Sequence, residues 1–220
     1  MRKFDQYCPV AHALSLVGER WSLLIVRELM HGPKRYTDLT HGLPGIGTNI
    51  LAGRLKELEA CGVIEKRTLP PPAASTVYEL TEYGAGLREA LDALARWGAR
   101  TIGPPGPDDE LYPEWGMNAL PALFDAEAAR GVTETYVLVV DGDAFTARIV
   151  NGVLEASVGT AEDADVVVEI DMETFFGLAS GELAPKDAVK SGRAQLQGDL
   201  EALERCFRVL SFAPRVTAAA

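Results

Sequence analysis

Apolar side chains recur with two periods along this 220-residue chain, and each period predicts a different kind of element. Leu51, Leu55 and Leu58 stand at i, i+4 and i+7, the buried stripe of a helix over residues 48–60. Val10, Leu14 and Val17 mark an earlier helix that Pro9 opens. Tyr83, Leu87, Ala90, Leu91, Leu94 and Trp97 mark one expected from Thr81 to about Arg100. In the second half, strand alternation takes over. Residues 136–140, 144–150 and 153–158 are separated by Asp141-Gly142 and Asn151-Gly152, dipeptides suited to type I′ hairpin turns. They predict a three-strand meander, with a fourth strand over 166–170 and a short one over 194–197. Helices are expected over about 117–130 (Leu120, Leu123, Phe124), after the cap Asp171 (Phe175, Phe176, Leu178) and from Pro185 to Gly192. A last helix follows Asp199, with Leu200, Leu203, Phe207 and Leu210 on one side. Gly103-Pro104-Pro105-Gly106-Pro107-Asp108-Asp109-Glu110 can neither continue a helix nor fill a core. The chain is therefore expected to be α+β, with a domain over 1–102, a linker over 103–116 and a second domain over 117–214.

Within the first domain, residues 32–67 predict a DNA-reading device: a short helix, a turn at Leu43-Pro44-Gly45-Ile46-Gly47, a second helix and a basic ribbon. That order is a winged helix-turn-helix, mostly α with a two-stranded wing, whose second helix would lie in a major groove. Opposite the leucine stripe lie Asn49, Gly53, Lys56 and Ala60. Asn49 can pair with adenine, and Lys56 can reach guanine or phosphate. Thr48 sits where helix N–H groups favour phosphate. Gly53 lets the helix approach a groove wall, at a cost of about 1 kcal/mol against Ala. Lys34, Arg35 and Thr37 before and in the first helix, and Lys66 and Arg67 in the wing, should meet the DNA backbone. Arg54, near the edge of the stripe, would be a phosphate contact or a helix brace. The stretch 70–75 is too proline-rich to pair and should be an exposed, stiff wing tip.

Cys8-Pro9-Val10, the run Val17-Gly18-Glu19-Arg20-Trp21-Ser22-Leu23-Leu24, Leu43-Pro44-Gly45-Ile46, Arg54-Leu55-Lys56-Glu57-Leu58-Glu59, Gly62-Val63-Ile64 and Tyr78-Glu79-Leu80-Thr81 together resemble the HxlR family of bacterial winged-helix transcription regulators. The resemblance implies a homodimer on a roughly palindromic double-stranded operator. The seams of residues 81–100 and of the N-terminal helix are the candidate dimer surfaces. The family usually has Ser, or another capping side chain, where Gly47 stands. Some members use a cysteine at the position of Cys8 to sense oxidants or electrophiles. Pro9 at the first helical position makes Cys8 the N-cap, and the positive end of a helix favours thiolate, so Cys8 is a candidate redox sensor. Cys61 and Cys206 lie in or beside apolar stripes and are expected in cores.

Charge divides as the periods do. Residues 1–102 hold 13 Lys+Arg against 11 Asp+Glu, residues 103–220 hold 8 against 21, and the whole is −11. Phosphate would repel the acidic half, so sequence reading must rest on base contacts and dimerisation in a nearly neutral domain. No apolar run reaches the length of a membrane span, the N-terminus lacks a signal core, and three cysteines make no disulfide framework, so a cytoplasmic setting is expected. His12, His31 and His41 lack the companions of a metal site. There is no phosphate-cradling loop, nucleophile elbow or dinucleotide fingerprint, so neither an enzyme nor a cofactor is expected.

The run Gly181-Glu182-Leu183-Ala184-Pro185, then residues 188–200, with the order of meander, helices, strand and helix, resembles the sterol carrier protein 2 domain. That implies an α+β fold with a tunnel for apolar molecules. Leu123, Phe124, Phe145, Phe175, Phe176, Leu183, Phe207 and Leu210 would line such a pocket or simply fill a core. Two readings stay open: a regulator controlled by a hydrophobic small molecule, or a lipid or hydrophobic-metabolite carrier whose winged helix contacts proteins.

Overall fold

The computed structural model describes residues 4–70, 74–102, 106, 109, 115, 120–121 and 123–211, in two compact units, Met1–Leu91 and Asp92–Ala220. The first is built from α1 (Pro9–Val17), α2 (Ser22–Leu29), α3 (Tyr36–Gly42), α4 (Thr48–Ala60), a hairpin of β1 (Ile64–Thr68) and β2 (Thr76–Leu80), and α5 (Glu82–Ala85). Helix α6 (Arg88–Ala99) begins in it. Ile25, Val26, Leu29, Leu39, Leu43, Leu51, Leu55, Leu58, Val63 and Ile64 close one core. Leu43, Pro44, Gly45 and Ile46 make the turn between α3 and α4. Ile46 N–H donates to Leu43 O at 3.1 Å, and Gly45 has φ +79°, as the third residue of a type II turn requires. The Tyr36 hydroxyl donates to Thr48 O at 2.8 Å, tying the start of α3 to the start of α4. At the far end of α4, Gly62 N–H donates to Glu59 O and Val63 N–H to Leu58 O, a Schellman closure that delivers the chain into β1.

The helix expected from Thr81 to Arg100 is broken. Thr81 caps α5 by accepting from Gly84 N–H at 3.0 Å, and its hydroxyl donates to Gly62 O at 2.6 Å. A Cβ on Gly84 would lie 1.9 Å from Val63 O, so only glycine lets α5 sit against the wing root. Leu87 N–H then bonds to Gly84 O instead of continuing an α-helical ladder, and α6 starts afresh at Arg88. The apolar stripe divides with it. Leu87 and Leu91 pack on the core, while Tyr83, Leu94 and Trp97 are exposed. On α1, likewise, Val17 is buried whereas Val10 and Leu14 face outward.

The second unit contains β3 (Thr133–Val140), β4 (Asp143–Val150), β5 (Val153–Val158), β6 (Val166–Ile170), α7 (Met172–Ala179), α8 (Pro185–Lys190), β7 (Ala194–Gly198) and α9 (Leu200–Val209). The sheet order is β5-β4-β3-β6-β7, antiparallel except for β3 beside β6. Asp141 and Asn151 both have φ +51° and are followed by glycines, as the hairpin dipeptides predict. The stretch 159–165 carries the chain from edge strand β5 to β6. It is fastened by Arg148 to Asp163 at 2.8 and 2.9 Å, by Thr135 N–H to Asp165 at 2.7 Å, and by Thr146 to Gly159 O at 2.8 Å. Asp171 and Asp199 cap α7 and α9 through Thr174 and Ala202 N–H.

The helix expected over 117–130 ends early. Residues 116–119 and 122 lie outside the described residues; Leu120, Pro121 and Leu123 are helical, Phe124 pairs with Leu210, and 126–131 turn. The Asp125 carboxylate accepts from Glu127 and Ala128 N–H, which diverts the backbone from the helix. Residues 71–73 of the expected wing tip, and most of the expected linker, also lie outside the described residues.

Candidate nucleic-acid interface

Helix α4 turns Leu51, Leu55 and Leu58 inward and leaves Thr48, Asn49, Ile50, Ala52, Gly53 and Lys56 exposed. Gly47 is its N-cap, with extended backbone and no capping side chain. A Cβ on Gly53 would meet nothing within 4 Å, so no neighbour in the fold demands glycine there. Arg54 is engaged inside the domain, bonded to Glu57 and 3.7 Å from Glu19. It therefore braces α4 toward the α1–α2 connection.

The predicted backbone contacts fall on two further elements. Arg35 and Thr37 are exposed at the start of α3, where Arg35 N–H donates to Asp38 at 2.8 Å. Lys34 pairs through its backbone with Tyr78, at 3.0 and 2.8 Å, adding a third short rung to the wing. On β1, Lys66 stands 5.9 Å from the centre of the Tyr78 ring. Arg67 is paired with Glu79 at 2.6 Å, and that hydrogen bond and charge raise its pKa above the ordinary value. Glu65 and Glu79 also stand on the hairpin, so the wing is less basic than Lys66-Arg67 alone suggests. Ile50 was missed from sequence. It is the large apolar residue of α4 that lies off the leucine stripe, and that was the available signal.

In the second unit, the eight apolar residues singled out from sequence do come together. Leu123, Phe145, Phe175, Phe207 and Leu210 are buried in one cluster, and Phe124, Phe176 and Leu183 pack against it. Phe175 meets Phe176 and Phe207 edge-on, with 6.3 Å between ring centres in each case. A polar clasp borders this core. Arg205 donates to Glu134 at 2.6 and 2.9 Å, and the fully buried Tyr136 donates its hydroxyl to the same carboxylate. Burial pushes the Glu134 carboxyl up, but the hydrogen bonds from Arg205 and Tyr136 and the guanidinium charge outweigh it, so its pKa lies below the ordinary value. Burial first, then the Glu134 bond, pushes Tyr136 far up, and burial does the same to the Cys206 thiol. Cys61 is half-buried at the end of α4. Cys8 is exposed at the N-cap of α1, in an open groove of about 490 Å³ shared with Phe4, Tyr7, His12 and Ser15.

Three helices, a tight turn into α4 and a paired wing define a winged helix-turn-helix protein with an appended sheet-and-helix unit. Residues 16–105 match the HxlR-like helix-turn-helix family. The transcriptional regulator YodB of Bacillus subtilis is 41% identical over 91 residues, which are 41% of this chain and 81% of YodB. An HTH-type transcriptional regulator of Mycobacterium tuberculosis is 34% identical over 142 residues, 64% of this chain and 89% of its own. The chain belongs to the HxlR-like helix-turn-helix family. Residues 112–215 match a different model, the alkyl sulfatase C-terminal family. A solved stereoselective inverting sec-alkylsulfatase from a Pseudomonas species is 28% identical, with 49% of this chain and 18% of that enzyme covered and a TM-score of 0.43. Among the described residues, no helix is long and apolar enough to cross a membrane.

Proposed function

We propose that this chain is a dimeric, sequence-specific transcription regulator that inserts α4 into the DNA major groove. The observation that carries this reading is the outer face of α4. Thr48, Asn49, Gly53 and Lys56 form a narrow, exposed, hydrogen-bonding surface held up by three buried leucines. Asn49 and Lys56 read base edges, Gly53 admits the groove wall, and Thr48, Arg35, Thr37, Lys34, Lys66 and Arg67 hold phosphates. Arg54 keeps α4 in place. Its relatives' names as transcriptional regulators support the same reading. In a shift assay with DNA flanking the gene and rising salt, one sequence should stay bound after random DNA is released. Equal release of both would sink the proposal.

Two candidate dimer seams are each exposed in the single chain: Val10 and Leu14 on α1, and Leu94 and Trp97 on α6, where Trp97 is 71% exposed. A two-fold dimer presents two copies of α4 to a palindromic site. The second unit adopts a sterol carrier protein 2-like fold, a reading supported by its meander, its parallel fourth strand and its aromatic cluster. It responds to a hydrophobic small molecule. A fatty-acid, sterol and polyketide panel that produced no thermal shift would remove that part. Cys8 serves as an electrophile or oxidant sensor, supported by its exposed N-cap position in a groove of small-molecule size.

A further inference from the structure

We infer that Ile50 reads the 5-methyl group of a thymine in each operator half-site, an assignment that rests on the DNA-binding reading of α4. A single exposed isoleucine on a protein surface is ordinary. What sets Ile50 apart is its setting on the helix. It is 48% exposed, and among the described residues it is not one of those packed on the core of its unit. It is the third residue of α4, in the N-terminal turn, which is the end of a recognition helix that meets base edges. Its neighbours three residues away on either side are both glycines, Gly47 and Gly53, and Arg54, four residues on, is engaged with Glu57 and Glu19.

Side chains on a helix lean toward its N-terminus. Ile50 follows that rule: its Cγ1 lies 3.9 Å from the point a Cβ on Gly47 would occupy. The isoleucine is thus a lone apolar knob aimed over the leading turn, with Asn49 on one side and the tethered Arg54 on the other. The major-groove edges of DNA offer donors, acceptors and one apolar group, the thymine methyl. A hydrocarbon knob among hydrogen-bonding residues matches that group and no other base feature. Glycine at position 47 suits this arrangement, since a side chain there would stand beside the knob.

The test uses the full chain. Its preferred duplex is selected from a randomised pool, and each thymine of the half-site is then replaced in turn by deoxyuridine, which removes only the methyl. One thymine per half-site should prove sensitive. Its loss should weaken wild-type binding about fourfold, the effect of returning one methyl group to water. Ile50→Ala should bind the thymine and uracil duplexes equally, and Ile50→Val should keep part of the preference. A selected site with no methyl-sensitive thymine would overturn the assignment and leave the DNA-reading role of α4 standing. So would a methyl preference that survives in Ile50→Ala. Failure to select any sequence would instead defeat the DNA-binding reading itself, and the Ile50 assignment with it.

Discussion

Helices α4 and α9 are built alike on the inside and differently on the outside. Each buries a stripe, Leu51, Leu55 and Leu58 in one, Leu203, Cys206 and Phe207 in the other. The outer face of α9 carries Glu201, Glu204 and Arg208, side chains that water satisfies. The outer face of α4 carries Thr48, Asn49, Ile50, Ala52, Gly53 and Lys56, and a glycine in a helix is a stability cost that its own fold does not explain. The difference teaches where to look for function. A helix that needs only solvent on its far side is free to use charge, whereas one shaped to meet another surface is kept small and specific.

The inner faces should prove equivalent. Leu55→Ala and Leu203→Ala each remove a fully buried side chain and should each cost roughly 2–5 kcal/mol, read by denaturant unfolding of the intact chain. A much smaller loss in α9 would mean that its core is loosely filled, which would favour the ligand pocket. The outer faces should then separate. Asn49→Ala should weaken binding to the selected duplex by roughly 1–3 kcal/mol. Folding stability should hardly change, and binding to random DNA should be little affected. Glu204→Ala on α9 should change stability by less than about 0.5 kcal/mol and leave DNA binding alone. If both variants bound alike, the contrast would collapse.

Acid provides a third test, confined to the second unit. Glu134 has a folded pKa below its ordinary 4.5, so its contribution is complete above that pH and is lost as pH falls through the folded value. Unfolding followed from about pH 6 to pH 3 should show a stability loss that is smaller in Arg205→Ala, which lacks the guanidinium that favours the carboxylate. The smallest effect is expected in the wing. Lys66→Ala should weaken all sequences similarly and lower the salt dependence, log K against log salt, by about 0.9. An unchanged slope would take Lys66 off the phosphate backbone.

Much of this was legible in the sequence because the signals were local. Residues 48–60 declare their stripe by spacing, Asp141-Gly142 and Asn151-Gly152 name their turns, and Asp171 and Asp199 sit where caps belong. The failures have tertiary causes. The apolar period from Tyr83 to Trp97 is continuous, but Gly84 presses on Val63 O and the helix restarts at Arg88. Asp125 is a local signal that the helix stops near Leu123, but nothing local signals that Phe124 will pair with Leu210, a partner far along the chain. For Arg54, spacing offers the i+3 partner Glu57, but its second contact, Glu19, comes from another element and is not legible locally. Ile50 was passed over because an exposed apolar residue carries meaning only once its uncovered surroundings are known.

The Phe124–Leu210 pairing bears on how the molecule is made. Asp125 N–H also donates to Val209 O, and Ser211 N–H to Leu123 O, so the residues just ahead of the sheet are stitched to the last described ones. On the ribosome, the winged-helix core can close while synthesis continues, because the residues that fill it fall between Leu16 and Leu91. The acidic half must wait in the exit region until α9 has emerged, its aromatic residues unsheltered. The nascent chain therefore holds its winged helix before it holds its second unit, and chaperone demand should concentrate in that interval.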